Sequence, residues 1–399
     1  MKQKGIIWGI TIFFLTLTFS ACLNFSSGDS AGGGSGQSEA TAFLVNNETD
    51  LRRVGTETGS GNWTLSAYYK QTANITLTYE WIPIGIGSTK GVVTSDADAF
   101  KGTYDGGGFS ISGLKISNPS SLEVGLFGKM VSTSTVKNVR LIGVDITGPV
   151  TSSGNEVGGI AGFMAKYGTV QNCGVSGSVK GNGNNTVGIN YFYDVGGVVG
   201  QNLGIIENCY STADVKKITY TNNANSGAYG GIAGGNGGTV RNCYSTGNIS
   251  AFSDSWTGGI VGFNSGTVEY CYATGNISSG YYLVRIGGIT GLSSDNTTVR
   301  YCVALDTSII GGSNIGGQSP PAGRIISDSS SYSPTLSYNY AKSDMTVNGN
   351  TVNGTSGDVN GQGITSSQWD SASFWRDTVQ FNTTVWSLAD NRLPKLAWE

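Results

Sequence analysis

The stretch from Gly230 to Ser250, GGIAGGNGGTVRNCYSTGNIS, decides how this chain folds. Alone it is ambiguous. The glycine cluster Gly234 to Gly238 has the look of a phosphate-gripping loop, and Cys243 that of a metal ligand. Aligned on Gly-Gly and Cys, however, the neighbouring sequence repeats it. VGGIAGFMAKYGTVQNCGVSGSV starts at Val157, VGGVVGQNLGIIENCYSTADV at Val195, TGGIVGFNSGTVEYCYATGNI at Thr257 and IGGITGLSSDNTTVRYCVAL at Ile286. A weaker unit starts at Val124 and a decayed one at Ile315.

The Gly-Gly pairs begin at 158, 196, 230, 258, 287 and 316, giving periods of 38, 34, 28, 29 and 29. From the first Gly to Cys the offset is 13 in the middle three units and 15 in the first and fifth. Each unit therefore has a fixed core and an elastic end. Apolar residues do not recur at the 3.6 spacing of a helix; short β-branched runs are broken by Gly and Asn. This pattern predicts an all-β parallel solenoid, a β-helix in which each unit is one coil stacked on the last. Right-handed winding is the general preference of parallel crossovers.

The units resemble the GLUG motif, a repeat of bacterial surface proteins and of the non-catalytic parts of some IgA-specific metallopeptidases. Tyr68 to Gly85 and Phe100 to Ser117 resemble the coils that lead into such repeats, and Ser367 to Trp398 resembles their aromatic ending. The resemblance covers most of the chain after residue 40. It implies architecture and transfers no catalysis, because the chain has no histidine and so none of the zinc ligands of those peptidases.

The first residues read as an address. Lys2 and Lys4 precede an apolar run, Ile6 to Phe19, that is short for a membrane span of about 20 residues. Phe19-Ser20-Ala21-Cys22 resembles the lipobox of bacterial lipoproteins, with Phe19 in place of the usual Leu. That resemblance implies a lipid on Cys22, cleavage before it, and a place in the bacterial cell envelope, at the outer membrane or cell surface. The Gly/Ser-rich tract that follows has the composition of a tether. The expected organisation is a signal peptide over 1–21, a tether over 22–40, an N-terminal cap and leading coils over 41–123, repeat coils over 124–345, and an aromatic C-terminal cap over 346–399.

Composition excludes several functions. A net charge of −3 leaves no basic stripe for nucleic acid. The absence of histidine removes Ser-His-Asp and Cys-His catalysis and HExxH zinc sites. Cys173, Cys209, Cys243, Cys271 and Cys302 fall one per coil, without the short spacings of zinc sites. Val139 fills the same slot upstream, which marks it as small, apolar and inward. Free buried thiols are therefore expected, with no metal and no cofactor.

Two positions before each cysteine the residues are Gln171, Glu207, Arg241, Glu269 and Arg300, an outward column of alternating charge. Asn242 has the place of a corner asparagine, and the Gly230-Gly231 pair that of a sharp turn or of positive φ. No converging column of carboxylates is apparent: Asp194, Asp214 and Asp254 are assigned to loops. Two aromatic sets could bind a ligand. Tyr193, Trp256 and Tyr282 lie in the elastic segments, which should emerge on one edge; the alternative is that they pack on the coil's own flank. Tyr210, Tyr244 and Tyr272 follow successive cysteines as a stacked column, which could be a sugar-binding strip but is more often simple aromatic stacking along a sheet. The expected function is thus non-catalytic adhesion or binding, by a monomer attached to the membrane through Cys22, toward a glycan or a host or cell-surface protein. The alternatives are a polysaccharide-active β-helix enzyme and a passive surface spacer.

Overall fold

Valine at the centre of Thr239-Val240-Arg241, with polar neighbours on both sides, specifies a strand with one face inward. The computed structural model repeats that strand ten times in one parallel sheet, sheet I, from Phe43–Val45 to Thr335–Ser337. It describes residues 34–57, 63–86, 96–150, 154–182, 193–218, 227–252, 255–280, 284–311, 321–327 and 332–399. Residues 32–399 cluster as a single unit. Among the described residues no helix is long and apolar enough to cross a membrane.

Each coil visits four parallel sheets in order. Sheet III holds the strand before Gly-Gly, in seven copies from Glu123–Val124 to Ala322–Gly323. Sheet IV follows the Gly-Gly turn, in six copies from Phe127–Met130 to Thr290–Ser293. Sheet I comes next, and sheet II begins after the cysteine, as in Tyr244–Ser245 and Ile249–Ala251. Register holds from coil to coil: Val170, Ile206, Val240, Val268 and Val299 pair in sequence, and all are buried. The chain is a β-solenoid, as the repeats predict.

Two corners are built from polar ladders. After sheet IV, buried Asn202, Asn236 and Asn264 are linked by side-chain hydrogen bonds of 2.7 and 2.8 Å, each amide donating to the next. Before the cysteine, Asn138, Asn172, Asn208 and Asn242 hold φ of 58, 52, 53 and 52°. Their amides donate back along the column at 3.1, 3.2 and 3.3 Å. Asparagine tolerates this left-handed backbone better than most residues, as expected for Asn242.

Gly231 has a different reason from positive φ, which it lacks. A Cβ there would lie 2.1 Å from Ser245 Oγ and 2.3 Å from the Gly259 carbonyl. The pair is glycine because sheets III and IV fold tightly onto each other and onto the next coil.

Among the described residues the five cysteines, Cys173, Cys209, Cys243, Cys271 and Cys302, are free and buried in one inward column with Val139. Burial pushes the Cys173, Cys209 and Cys271 thiols up, so they stay protonated. Each thiol donates to the carbonyl two residues before it, at 3.1–3.3 Å. Thiol titration of a chain starting at Gly34 should find no reactive group in the native state and all five after denaturation without reductant. Fewer than five would reveal disulfides.

Candidate functional site

Strand alternation turns one residue of each sheet III strand outward. In register these are Glu123, Glu156, Asp194, Ala228, Trp256 and Arg285. The matching sheet IV column begins Lys129, Phe163, Gln201, Gly235, Phe263. The Gly-Gly turn lays the columns side by side. Trp256 packs on Phe263 with ring centroids 4.8 Å apart, and Lys129 Nζ lies 5.6 Å from the Phe163 ring centroid. A Cβ on Gly235 would be 2.8 Å from Asp194 Oδ2, so the two columns touch there as well.

This flank carries a carboxylate column that the spacing of the repeats does not reveal. Glu123, Glu156 and Asp194 occupy consecutive rungs, which are about 4.8 Å apart in a sheet. Asp194 is in the strand Tyr193–Gly196, not in a loop. Burial pushes Glu156 up to about 8; the charges of Asp194 and Glu123 add to this, and Lys129 opposes it. Burial alone pushes Asp194 up to about 7. Near neutral pH the column can thus hold an undissociated acid beside a carboxylate. The signal was present: each acid directly precedes Val-Gly, at 123–125, 156–158 and 194–196. Among the described residues no set of three His, Cys, Asp or Glu is placed to hold a metal.

The expected binding residues fall out differently. Trp256 stands on the outer face, half-buried against Phe263. Tyr193 does not share that face: it alternates to the side of Val195 and is 1% exposed. Tyr282 and Cys22 lie outside the described residues. Tyr210, Tyr244 and Tyr272 do stack, with centroids 5.3 and 5.0 Å apart. Their outward side, though, is covered by the C-terminal segment. Trp398 stacks on Tyr210 at 5.6 Å, and Trp386 lies 6.3 Å from Tyr244 and 5.9 Å from Tyr272. The Tyr244 hydroxyl donates to Glu399 at 2.9 Å and that of Tyr272 to the Pro394 carbonyl at 2.5 Å. As a binding strip this column is therefore corrected: its rings form the floor under the C-terminal segment.

The charged column on sheet I keeps the expected register, Gln171 to Glu207 to Arg241 to Glu269 to Arg300. It resolves into two pairs rather than a continuous ladder. Arg241 bonds Glu207 at 2.5 Å and Arg300 bonds Glu269 at 2.7 Å. The carboxylates are the more buried partners, which places them beneath the guanidinium groups. A groove of about 490 Å³ separates this column from the C-terminal segment at Gln380, Asn382 and Val385.

Comparison with known proteins agrees with the fold. The family model described as the GLUG motif matches residues 193–216 and 257–278, two of the repeats. Halomucin of Haloquadratum walsbyi is 39% identical over 89 residues, which are 22% of this chain and 1% of halomucin. The solved structure of a Bacteroides ovatus protein, described as a candidate immunoglobulin A1 protease, aligns with a TM-score of 0.53 at 18% identity. That alignment covers 92% of this chain and 95% of the other. At that identity the likeness is one of fold.

Proposed function

We propose that this GLUG-repeat β-solenoid is a lipid-anchored protein of the bacterial cell surface that binds a glycan or a surface protein without catalysis. The observation that carries the reading is the half-buried aromatic flank of sheets III and IV, with Phe163, Trp256 and Phe263 on one outer face. Aromatic rings with polar neighbours suit both sugars and protein hot spots. The N-terminal lipobox-like sequence supports the anchor, and the absence of histidine supports a non-catalytic role.

One observation favours the polysaccharide-active alternative. Glu156 and Asp194 sit on adjacent rungs, whose backbones are about 4.8 Å apart, and retaining glycosidases use two carboxyl groups about 5–5.5 Å apart. The two readings separate in one set of measurements on the chain after Cys22. A glycan and host-protein array is run alongside a polysaccharide-cleavage assay. The binding reading expects array signal lost in Trp256→Ala combined with Phe263→Ala, an unchanged melt, and no cleavage. Cleavage that disappears in Glu156→Gln would replace it with the enzyme reading, and silence in both assays would leave a spacer. The anchor is tested by fatty-acid labelling, which Cys22→Ser should abolish; equal label on that variant would rule the anchor out.

A further inference from the structure

The corner column of asparagines changes character partway along the solenoid. Asn138, Asn172, Asn208 and Asn242 are followed at the same corner by Tyr270, Tyr301 and Tyr338, with φ of 55, 53 and 54°. A bulky residue in the left-handed region is an outlier that costs roughly 1–2 kcal/mol, where asparagine is tolerated. Tyr270 and Tyr301 are mostly buried and pack against the aromatic cluster of the C-terminal segment, whereas Tyr338 is 49% exposed. The rings stack nearly parallel, with centroids 4.9 and 4.8 Å apart.

In such a stack only the end rings have an open face. At Tyr270 one face is covered by Tyr301. The other looks along the column toward Asn242, whose side chain is much shorter. The change of residue type therefore makes a step, and the riser of the step is a tyrosine ring. Asn242 also ends its amide ladder here. Its Nδ2 donates to Asn208, but the next coil brings Tyr270 instead of an amide that could donate to Asn242 Oδ1.

This step forms one end of the groove between sheet I and the C-terminal segment. The groove's other walls are mainly polar: Arg241 and Glu269 from sheet I, and Gln380 and Asn382 opposite, beside the apolar Val385. Gln380 is itself held at φ 61°, another left-handed residue outside glycine and asparagine. Backbone strain of this kind gathers at ligand sites. A flat apolar face surrounded by amide, guanidinium and carboxylate groups matches a pyranose ring, which has an apolar C–H face and a rim of hydroxyls. A volume of about 490 Å³ admits one or two sugar units.

We propose that this groove is a carbohydrate-binding subsite in which a neutral pyranose stacks on the free face of Tyr270, with its hydroxyls bonded by Asn242, Arg241, Glu269, Gln380 and Asn382. It is a second site, apart from the flank of sheets III and IV, and goes beyond the function proposed above.

The test uses the chain after Cys22 and saturation-transfer NMR with cellohexaose, xylohexaose, maltohexaose and chitohexaose. At least one should bind, and Tyr270→Asn should weaken it about tenfold or more. That variant extends the asparagine ladder and relieves the left-handed tyrosine, so its melt should not fall. Tyr338→Asn, at the far end of the stack, should bind as the parent does. The assignment is overturned if none of the four binds, or if binding survives Tyr270→Asn. Binding that survives Tyr270→Asn but is lost in Trp256→Ala would place the sugar on the sheet III and IV flank. That outcome leaves the proposed surface-binding function standing.

Discussion

Asp306→Ala is expected to stabilise the protein at neutral pH by about 1–3 kcal/mol, the usual cost of a buried polar group without a partner. Asp306 is fully buried, and among the described residues neither carboxylate oxygen finds a hydrogen-bond partner beyond its own backbone N–H. No cation acts on it among the causes of its shift. Arg324 is also buried but spends its guanidinium on the carbonyls of Lys342, Asn360 and Gly361. Burial pushes the Asp306 carboxyl well above the ordinary range. The preceding coils carry Ala213, Gly247 and Gly275 two residues after the equivalent rung, so a small side chain fits there. The sign follows from linkage. A raised folded-state pKa gives full stability below the unfolded value near 3.9 and loses it as pH rises. The advantage of Asp306→Ala should therefore be larger at pH 8 than at pH 4. Urea unfolding at both pH values measures it. An alanine variant less stable at pH 8 would mean that the carboxylate has a compensating partner.

The second large effect comes from the outer acidic column. Glu156 is pushed up to about 8 and Asp194 up to about 7. Both are raised, so both contribute stability that is complete near pH 4 and disappears as pH climbs through 7 and 8. Each pH unit between the unfolded and folded values is worth at most about 1.4 kcal/mol per group. Solvent and relaxation reduce that at these half-buried positions, leaving a total on the order of a few kcal/mol. The wild-type protein should melt at a higher temperature at pH 5 than at pH 9. Glu156→Gln should flatten the curve by keeping the middle rung neutral and relieving Asp194 and Glu123. A melt that rises with pH, or a Glu156→Gln curve parallel to the wild type, would count against the raised values. The same protonation state is what a glycosidase reading needs, so the pH profile also bears on whether the column could act as an acid at all.

The parts of this fold legible in the sequence are those that repeat. The cysteine slot, the Asn242 corner and the register of the charged column each depend on one coil resembling the next. The misses are of two kinds. Tyr193 and Asp194 were placed by the elastic segment before them, when strand alternation from Val195 backwards puts the tyrosine inside and the acid outside. The acidic column follows from the same alternation, one residue before each Val-Gly, and the spacing of the glycine pairs alone does not reveal it. The cover over Tyr210, Tyr244 and Tyr272 is a different matter. It depends on contacts between residues 122 to 190 positions apart, from Tyr272 with Pro394 to Asn208 with Trp398. No period links these positions, so only the folded chain brings them together.

The C-terminal segment has a mechanical consequence. A stack of coils held only by neighbour-to-neighbour bonds gives way one rung at a time, like a zip pulled from its end. Here one strip of chain bridges several rungs at once, from Arg140, which donates to the carbonyls of Trp398 and Glu399, through Tyr210 and Tyr244 to Tyr272. Under tension those coils would share the load and rupture together, in a single tall force peak followed by small ones. In shear flow the strip would act as a splint, setting how hard the solenoid can be pulled before it begins to unravel.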